Sequence, residues 1–474
     1  MTETALDETA LDETATTSTA ARVRALRAAR GRVLVVFDDD PTGSQSVHGV
    51  PIVTTWHGPE LDWALAQSAG AVFVLTNTRS LQPDAAAARV REIAAAVEAS
   101  AARVGVATDL LLRGDSTLRG HHPLEADVLD GIARAAGHPY DAVVIAPAYL
   151  EAGRVTRDDV HLVRRGDGET PVGETDYARD ATFGFRSSNL RDWVEERTGG
   201  AVRAADVAAI PLVALRADDG AARVRDLVLG VAGGGTIVLN ALTRADLDTA
   251  AEGILLTQAE GRRVLVRSGP SFVAALLGLE PRDPLAPAEL GASPGRAGLV
   301  VVGSHVELTT RQLARLRERR PGLGQVELDV LELAIARETA EAEIRRATDE
   351  LVAALGRGDA VVSTSRARRD GADPAASLAF AAAVSEALVR VVRDASAARR
   401  PGWVIAKGGI TSSDIATDAL GITRAEVLGQ LFPGMVSVWA ERGPEASGLP
   451  YVVFAGNVGD DDALADAVER LAGD

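Results

Sequence analysis

Short apolar runs without polar alternation recur along this chain, separated by longer stretches rich in Ala, Arg and Glu. That pattern restricts the fold more than any other feature. Runs at 32–37, 71–75, 141–146, 235–239 and 262–267 are expected strands, as are 298–302, 359–363, 402–406, 434–439 and 450–454. Residues 84–103, 309–319, 330–356 and 375–396 space their apolar side chains three and four apart, the helical period. A strand that is apolar throughout is buried on both faces, as in a parallel sheet covered by helices. The expected class is α/β: two α/β domains with mainly parallel sheets and a ligand site in the cleft between them. On such sheets ligands bind beyond the carboxyl ends of the strands, so chemistry is sought there.

At 474 residues the chain exceeds the size at which one core stops growing, and two domains are the default. The joint is expected where prolines 281, 284, 287 and 294 and glycines 291, 295 and 298 interrupt any helix or central strand. Residues 1–20, which repeat TALDE, are expected to be a disordered acidic tail, with a helix from Ala21 to Arg30. The domains are then 21–280 and 298–474, with 281–297 as linker. A net charge of −17 and 4% aromatic residues argue against a nucleic-acid surface. Zero cysteines exclude thiol nucleophiles and zinc or iron–sulfur centres built on cysteine. No apolar run approaches the roughly 18–20 residues of a membrane helix, so a cytoplasmic protein without membrane partners is expected.

Four strand ends in the first half carry polar clusters. FDDDPTGSQSVHG (37–49) places Asp38, Asp39 and Asp40 side by side, which is costly unless a cation or donor is near. It suits magnesium, or a base acting on a polyol, although Asp–Pro and Thr–Gly are also ordinary turn chemistry. In LLLRGDSTLRGHHPLEAD (110–127), Arg113, Asp115, Ser116, Thr117 and Arg119 follow an apolar run. Guanidinium groups grip carboxylates in two-pronged fashion and carboxylates grip hydroxyls, while Ser116 or Thr117 could equally cap a helix. PAYLEAGRVTRDDVHLV (147–163) adds Arg154, Thr156 and His161, and TNTRS (76–80) adds Asn77 and Arg79.

The second half differs. Strand, glycine turn and helix recur at 298–316, 406–420 and 451–464, and glycine turns let backbone amides approach an anion. Of 50 basic residues only Lys407 is lysine, and it lies in the middle one of these turns. A compact ammonium there suits a nucleotide phosphate. No GxxxxGK[ST] surrounds Lys407 and no GxGxxG opens the first helix, so neither a P-loop nor a dinucleotide fingerprint is present.

Taken in order, DDDPTG (38–43), DSTLRG (115–120), PAYLEAGR (147–154), GSHVELTTRQ (303–312), KGGIT (407–411) and GNVGD (456–460) resemble the four-carbon acid sugar kinase family. That family includes 3-oxo-tetronate, D-threonate and D-erythronate kinases. The resemblance implies a sugar-acid domain followed by an ATP domain. Asp39 and Asp40 look like its paired aspartates, with Asp115, Ser116, Arg119 and Arg154 on the sugar-acid side. Ser304, Gly408, Gly409, Ile410, Thr411 and Gly456 look like its ATP contacts. This chain departs from the family's DDLTG, from its Asn after TLRG (His121 here) and from its Lys-Ser before Gly-Asn (Phe454-Ala455 here), which bears on acid specificity.

The implied reaction moves the γ-phosphoryl group of Mg-ATP to the terminal hydroxyl of a four-carbon sugar acid. Arg119 and Arg154 would hold the carboxylate, Asp39 or Asp40 would accept the proton or hold Mg2+, and Lys407 would neutralise phosphate. The partners are the sugar acid and ATP, with a homodimer left open. The rival is a haloacid-dehalogenase-type phosphatase, for which Asp38, Asp40 and Thr42 supply DxDxT and Lys407 the later lysine. It leaves DSTLRG and GGIT unexplained.

Overall fold

A computed structural model describes residues 12–67, 70–166, 168–231, 233–292, 295–366, 374–444 and 446–473. Residues 1–11 of the expected tail and 293–294 of the expected linker lie outside them. The chain divides into two units, one of residues 1–51 and 56–282, the other of Ile52–Thr55 and Asp283–Asp474.

In the first unit the strands lie in the order Ala71–Leu75, Arg32–Asp38, Ala107–Arg113, Val264–Ser268, Ala142–Ala146, Gly235–Leu239, Ala208–Ile210, each parallel to its neighbour. Ala71–Leu75 is buried along its whole length, as its unbroken apolar run requires. The helix Pro83–Val104 buries Val90, Ile93, Ala94, Val97 and Ala101, the three-and-four spacing read from the sequence. A small antiparallel sheet, Arg154–Arg157, Val160–Arg165 and Gly168–Pro171, projects after the strand Ala142–Ala146.

The second unit orders its strands Gly324–Leu328, Ala360–Thr364, Leu299–Val302, Val404–Lys407, Pro450–Phe454, Met435–Glu441, Arg424–Phe432. The pairs as far as Pro450–Phe454 are parallel and the last two are antiparallel. Arg424–Phe432 alternates intermediate and buried residues along its length, the period of a half-covered strand, which no continuous apolar run marks in the sequence. Its core joins Val300, Trp403, Ile405, Val452, Phe454, Leu464 and Val468.

Two boundaries differ from expectation. The first helix runs Asp12–Arg30, so residues 12–20 are helical rather than tail. Ala20 and Val23 are fully buried, and Arg22 pairs with Glu252 at 2.6 Å. With that turn anchored, each further residue toward Asp12 adds a hydrogen bond without a new nucleation cost. The proline-rich joint is also packed: Leu285 and Leu290 belong to the second core, and Leu285 N donates to Gln430 O at 2.8 Å. The second unit also takes Thr54, whose Oγ1 donates to Ile422 O at 2.7 Å. Among the described residues, no helix is long and apolar enough to cross a membrane.

Candidate functional site

Adjacent strands Arg32–Asp38 and Ala107–Arg113 both end on charged residues, and these charges meet. Arg113 Nη1 donates to Asp38 Oδ1 at 3.1 Å, with both side chains buried. Arg79 forks onto Asp39, Nη2 to Oδ1 at 2.6 Å and Nε to Oδ2 at 3.1 Å, and its Nη1 lies 3.3 Å from Asp40 Oδ2. The turn itself holds Asp40, whose Oδ1 accepts from Thr42 N at 2.8 Å and Thr42 Oγ1 at 2.5 Å.

These partners separate the carboxylates chemically. Burial pushes Asp38 up to about 7, only partly opposed by Arg113. Burial acts the same way on Asp40, but Arg79, Arg113 and the Thr42 bonds outweigh it and hold Asp40 below the usual range. Asp38 is wholly buried, Oδ2 has no partner, and a Cβ on Gly43 would lie 2.0 Å from that atom. A nucleophile must reach its substrate, and this one is roofed by the turn. That overturns the phosphatase reading of Asp38.

The DSTLRG loop follows the strand Ala107–Arg113. Asp115 Oδ2 accepts from Arg119 Nε at 2.7 Å and also from Thr117 Oγ1. Burial alone would raise Asp115, but Arg119 and Arg79 hold it far below the usual carboxylate range. Ser116 is buried and its carbonyl meets His161 Nε2 at 2.7 Å, with Thr156 Oγ1 2.9 Å from the other ring nitrogen. Burial lowers His161 to about 4, so near neutral pH it is an uncharged strut for the loop. His121 faces the carbonyls of Thr78 and Leu81, and His122 stacks on Trp193 at 4.7 Å.

Arg154 is placed by a tight turn, in which Arg154 N donates to Tyr149 O at 2.8 Å and Tyr149 N to Arg154 O at 3.0 Å. Gly153 is required at its tip, since φ is +70° and a Cβ would approach Arg164 O to 2.7 Å. Arg154 Nη2 donates to Tyr177 OH at 3.2 Å.

In the second unit, three glycine turns leave neighbouring parallel strands and converge. A Cβ on Gly303 would lie 2.3 Å from Thr411 Oγ1, one on Gly408 2.9 Å from the same atom, and one on Gly456 2.5 Å from Ser304 Oγ. Ser304, Gly408, Thr411 and Gly456 are therefore brought together. Thr309 Oγ1 ties them further, donating to Gly456 O at 2.9 Å. Gly409 opens the short helix Gly409–Asp414, which contains Ile410, whose side chain lies outside the described residues.

Lys407 differs from expectation in direction. It is fully buried, and its Nζ donates to Ala455 O at 2.7 Å while lying 3.7 Å from the centre of the Phe454 ring. Burial lowers it to about 6. The amino group points into the 455–458 turn, at carbonyls, not outward.

Sequence reasoning missed Glu125, Arg267, Tyr177 and Tyr149. Glu125 accepts from Thr78 Oγ1 at 2.6 Å and is pushed up to about 7 by burial and then by Asp39. Arg267, next to last in the strand Val264–Ser268, donates to Arg119 O at 3.2 Å, with its guanidinium 5.5 Å from the Trp193 ring centre. Arg267 had a usable signal, since it is a charge near the carboxyl end of an otherwise apolar strand. Tyr149 lay within the PAYLEAGR segment, whereas Tyr177 had no such signal.

The sequence matches two family models, a sugar-binding N-terminal domain over residues 34–276 and a nucleotide-binding C-terminal domain over 299–464. The chain thus pairs a sugar-binding half with a nucleotide-binding half. The D-threonate kinase of Bordetella bronchiseptica is 30% identical over 408 residues, 84% of this chain and 85% of that one. The D-erythronate kinase of Heliobacterium modesticaldum is 28% identical over 289 residues, which span 59% of each chain. Solved structures from Salmonella typhimurium LT2 and Haemophilus influenzae share the fold, with TM-scores of 0.66 and 0.60, each at 18% identity. They cover 92% of this chain, and 98% and 100% of their own. The chain belongs to the four-carbon acid sugar kinase family.

Proposed function

We propose that the protein transfers the γ-phosphoryl group of ATP to the terminal hydroxyl of a four-carbon sugar acid of the threonate, erythronate or 3-oxo-tetronate type. The observation that carries this reading is the strand-end cluster of the first unit. There, aspartates held by arginines on one turn share a site with the DSTLRG loop through Arg79. Such a surface pairs with both ends of a hydroxy acid, the hydroxyls at carboxylates and the carboxylate at guanidinium.

Asp40 is the group that receives the hydroxyl proton. Its side chain is 19% exposed against 3% for Asp39, and Asp39 is fully engaged by the Arg79 fork. The new bond joins the substrate oxygen to Pγ, the bond from Pγ to the bridging oxygen breaks, and ADP leaves with that oxygen. The aspartate turn does not fit a protein-held magnesium ion. Asp39 is taken by the Arg79 fork, which leaves Asp40 alone on the turn, and no group of three His, Asp or Glu converges as metal ligands among the described residues. Mg2+ enters with the ATP phosphates. In the second unit, the turns at Gly303, Gly408 and Gly456 take the nucleotide, with Ser304, Gly409, Ile410 and Thr411 beside them. Lys407 acts on it through the turn it secures.

The test is ADP release over a panel of four-carbon acids. Acid-dependent ADP formation that falls about 10²–10⁴-fold in Asp40→Asn supports the reading. Phosphate release from phosphoesters without ATP, or ADP formation indifferent to every acid, refutes it.

A further inference from the structure

The first unit's cluster holds five arginines, Arg79, Arg113, Arg119, Arg154 and Arg267, and their charges are not equally available. Arg79 is taken by Asp39 and Asp40, and Arg113 by Asp38. Arg119 is bonded to Asp115, with Asp180 a further 3.6 Å contact. Arg267 is 3% exposed and faces the Arg119 carbonyl and the Trp193 ring. Among the described residues, Arg154 has no carboxylate within ion-pair distance. Among those residues the only hydrogen-bond partner of its guanidinium is a neutral phenol, and the buried Nε has none.

Two tyrosines flank this guanidinium. Its carbon lies 5.7 Å from the Tyr149 ring centre and 5.8 Å from that of Tyr177. Tyr149 is fixed to Arg154 by the paired backbone bonds of their turn, and its hydroxyl donates to Gln45 Oε1 on the aspartate turn. Tyr177 comes from the separate 3-10 turn Asp176–Arg179, and its ring also lies 5.3 Å from the Arg119 guanidinium carbon. Aromatic faces favour a cation without neutralising it, so the bracket holds Arg154 in place and leaves its net charge unspent.

We propose that Arg154, bracketed by Tyr149 and Tyr177, is the group that reads the substrate carboxylate, and that Tyr177 is a specificity-determining residue. This rests on the sugar-acid reading of the first unit and divides the labour within it. Arg119, first expected to share the carboxylate, instead orders the DSTLRG loop through Asp115. In a protein of net charge −17, an anionic substrate gains from a cation that no carboxylate has already neutralised. An uncharged polyol of the same length gains nothing from it. Discrimination between acid and polyol is therefore set at Arg154, and Tyr177 keeps the fork aligned.

The experiment compares wild type, Tyr177→Leu, Tyr177→Phe and Arg154→Lys. It measures binding of D-threonate, D-erythronate and the polyol erythritol by calorimetry, alongside ADP-release kinetics. Tyr177→Leu should weaken acid binding about ten-fold, leave polyol binding and the KM for ATP within about two-fold, and so collapse the acid preference. Tyr177→Phe keeps the ring and should lose only about two- to three-fold. Arg154→Lys keeps the charge but not the fork, and should lose acid affinity with the polyol unaffected, which serves if the leucine variant does not fold. A folded Tyr177→Leu protein with unchanged acid preference overturns the proposal, as does equal loss for acid and polyol. Acid binding that depends on Tyr177 without any acid-dependent ADP would refute the kinase reading while supporting this one.

Discussion

Gly43 carries a prediction whose size follows from a single contact. The backbone leaves no room for a side chain there: a Cβ would lie 2.0 Å from Asp38 Oδ2 and 2.1 Å from Oδ1. Asp38 must then retreat by about 1 Å to reach even a tight contact, and its 3.1 Å bond with Arg113 Nη1 cannot survive. Overpacking in a rigid interior costs about 1–3 kcal/mol, and breaking a buried ion pair about 3–5 kcal/mol. Arg113 retains Asp39 at 3.6 Å, so the full second cost does not apply. The expected loss for Gly43→Ala is about 3 kcal/mol, roughly two orders of magnitude in the unfolding constant. Denaturant unfolding with a double-mutant cycle provides the assay. In an Asp38→Ala background the obstructing carboxylate is gone, so Gly43→Ala should be nearly neutral, with a coupling of about 3 kcal/mol. A single variant within about 0.5 kcal/mol of wild type, or one that costs the same in both backgrounds, would refute the steric argument.

Glu125 supplies a pH test. Its folded pKa of about 7 lies above the ordinary 4.5, so the folded protein holds this proton more tightly than the unfolded chain does. The stability it contributes is complete below about 4.5 and lost as pH rises through about 7. Glu125→Gln should therefore gain on wild type between pH 5 and 8, by roughly 1–3 kcal/mol in denaturant unfolding; a constant offset across that range would count against it. At Lys407, substitution by Met should raise the KM for ATP about ten-fold by freeing the 455–458 turn, while acid binding in the first unit holds. Lys407→Arg should do no better, because a guanidinium overfills a site with no exposed surface. Normal ATP kinetics in a folded Lys407→Met protein would show that the turn needs no such tie.

Much of the α/β class and many strand ends were legible because they depend on local chemistry. An apolar run such as 71–75 has few ways to avoid water other than a covered sheet, and its carboxyl end opens where the apolar residues stop. The aspartates at 38–40 and the glycines at 408 and 456 were readable for the same reason. Arg424–Phe432 was not, because alternation there marks a half-covered strand and not a loop.

The sequence by itself determined the α/β class and which residue types stand at many of the strand ends. Tertiary structure alone decided which charges cancel. Arg119 and Arg154 look alike in sequence, yet one is bonded to Asp115 and the other is held by a tyrosine brought in from residue 177. Lys407 likewise reads as an outward cation until the 455–458 turn folds over it and takes its amino group. The physical reason is range. Periodicity is set by neighbours a few residues apart, whereas the net charge of a site also depends on partners from distant positions, as Tyr177 reaches Arg154 and Ala455 reaches Lys407.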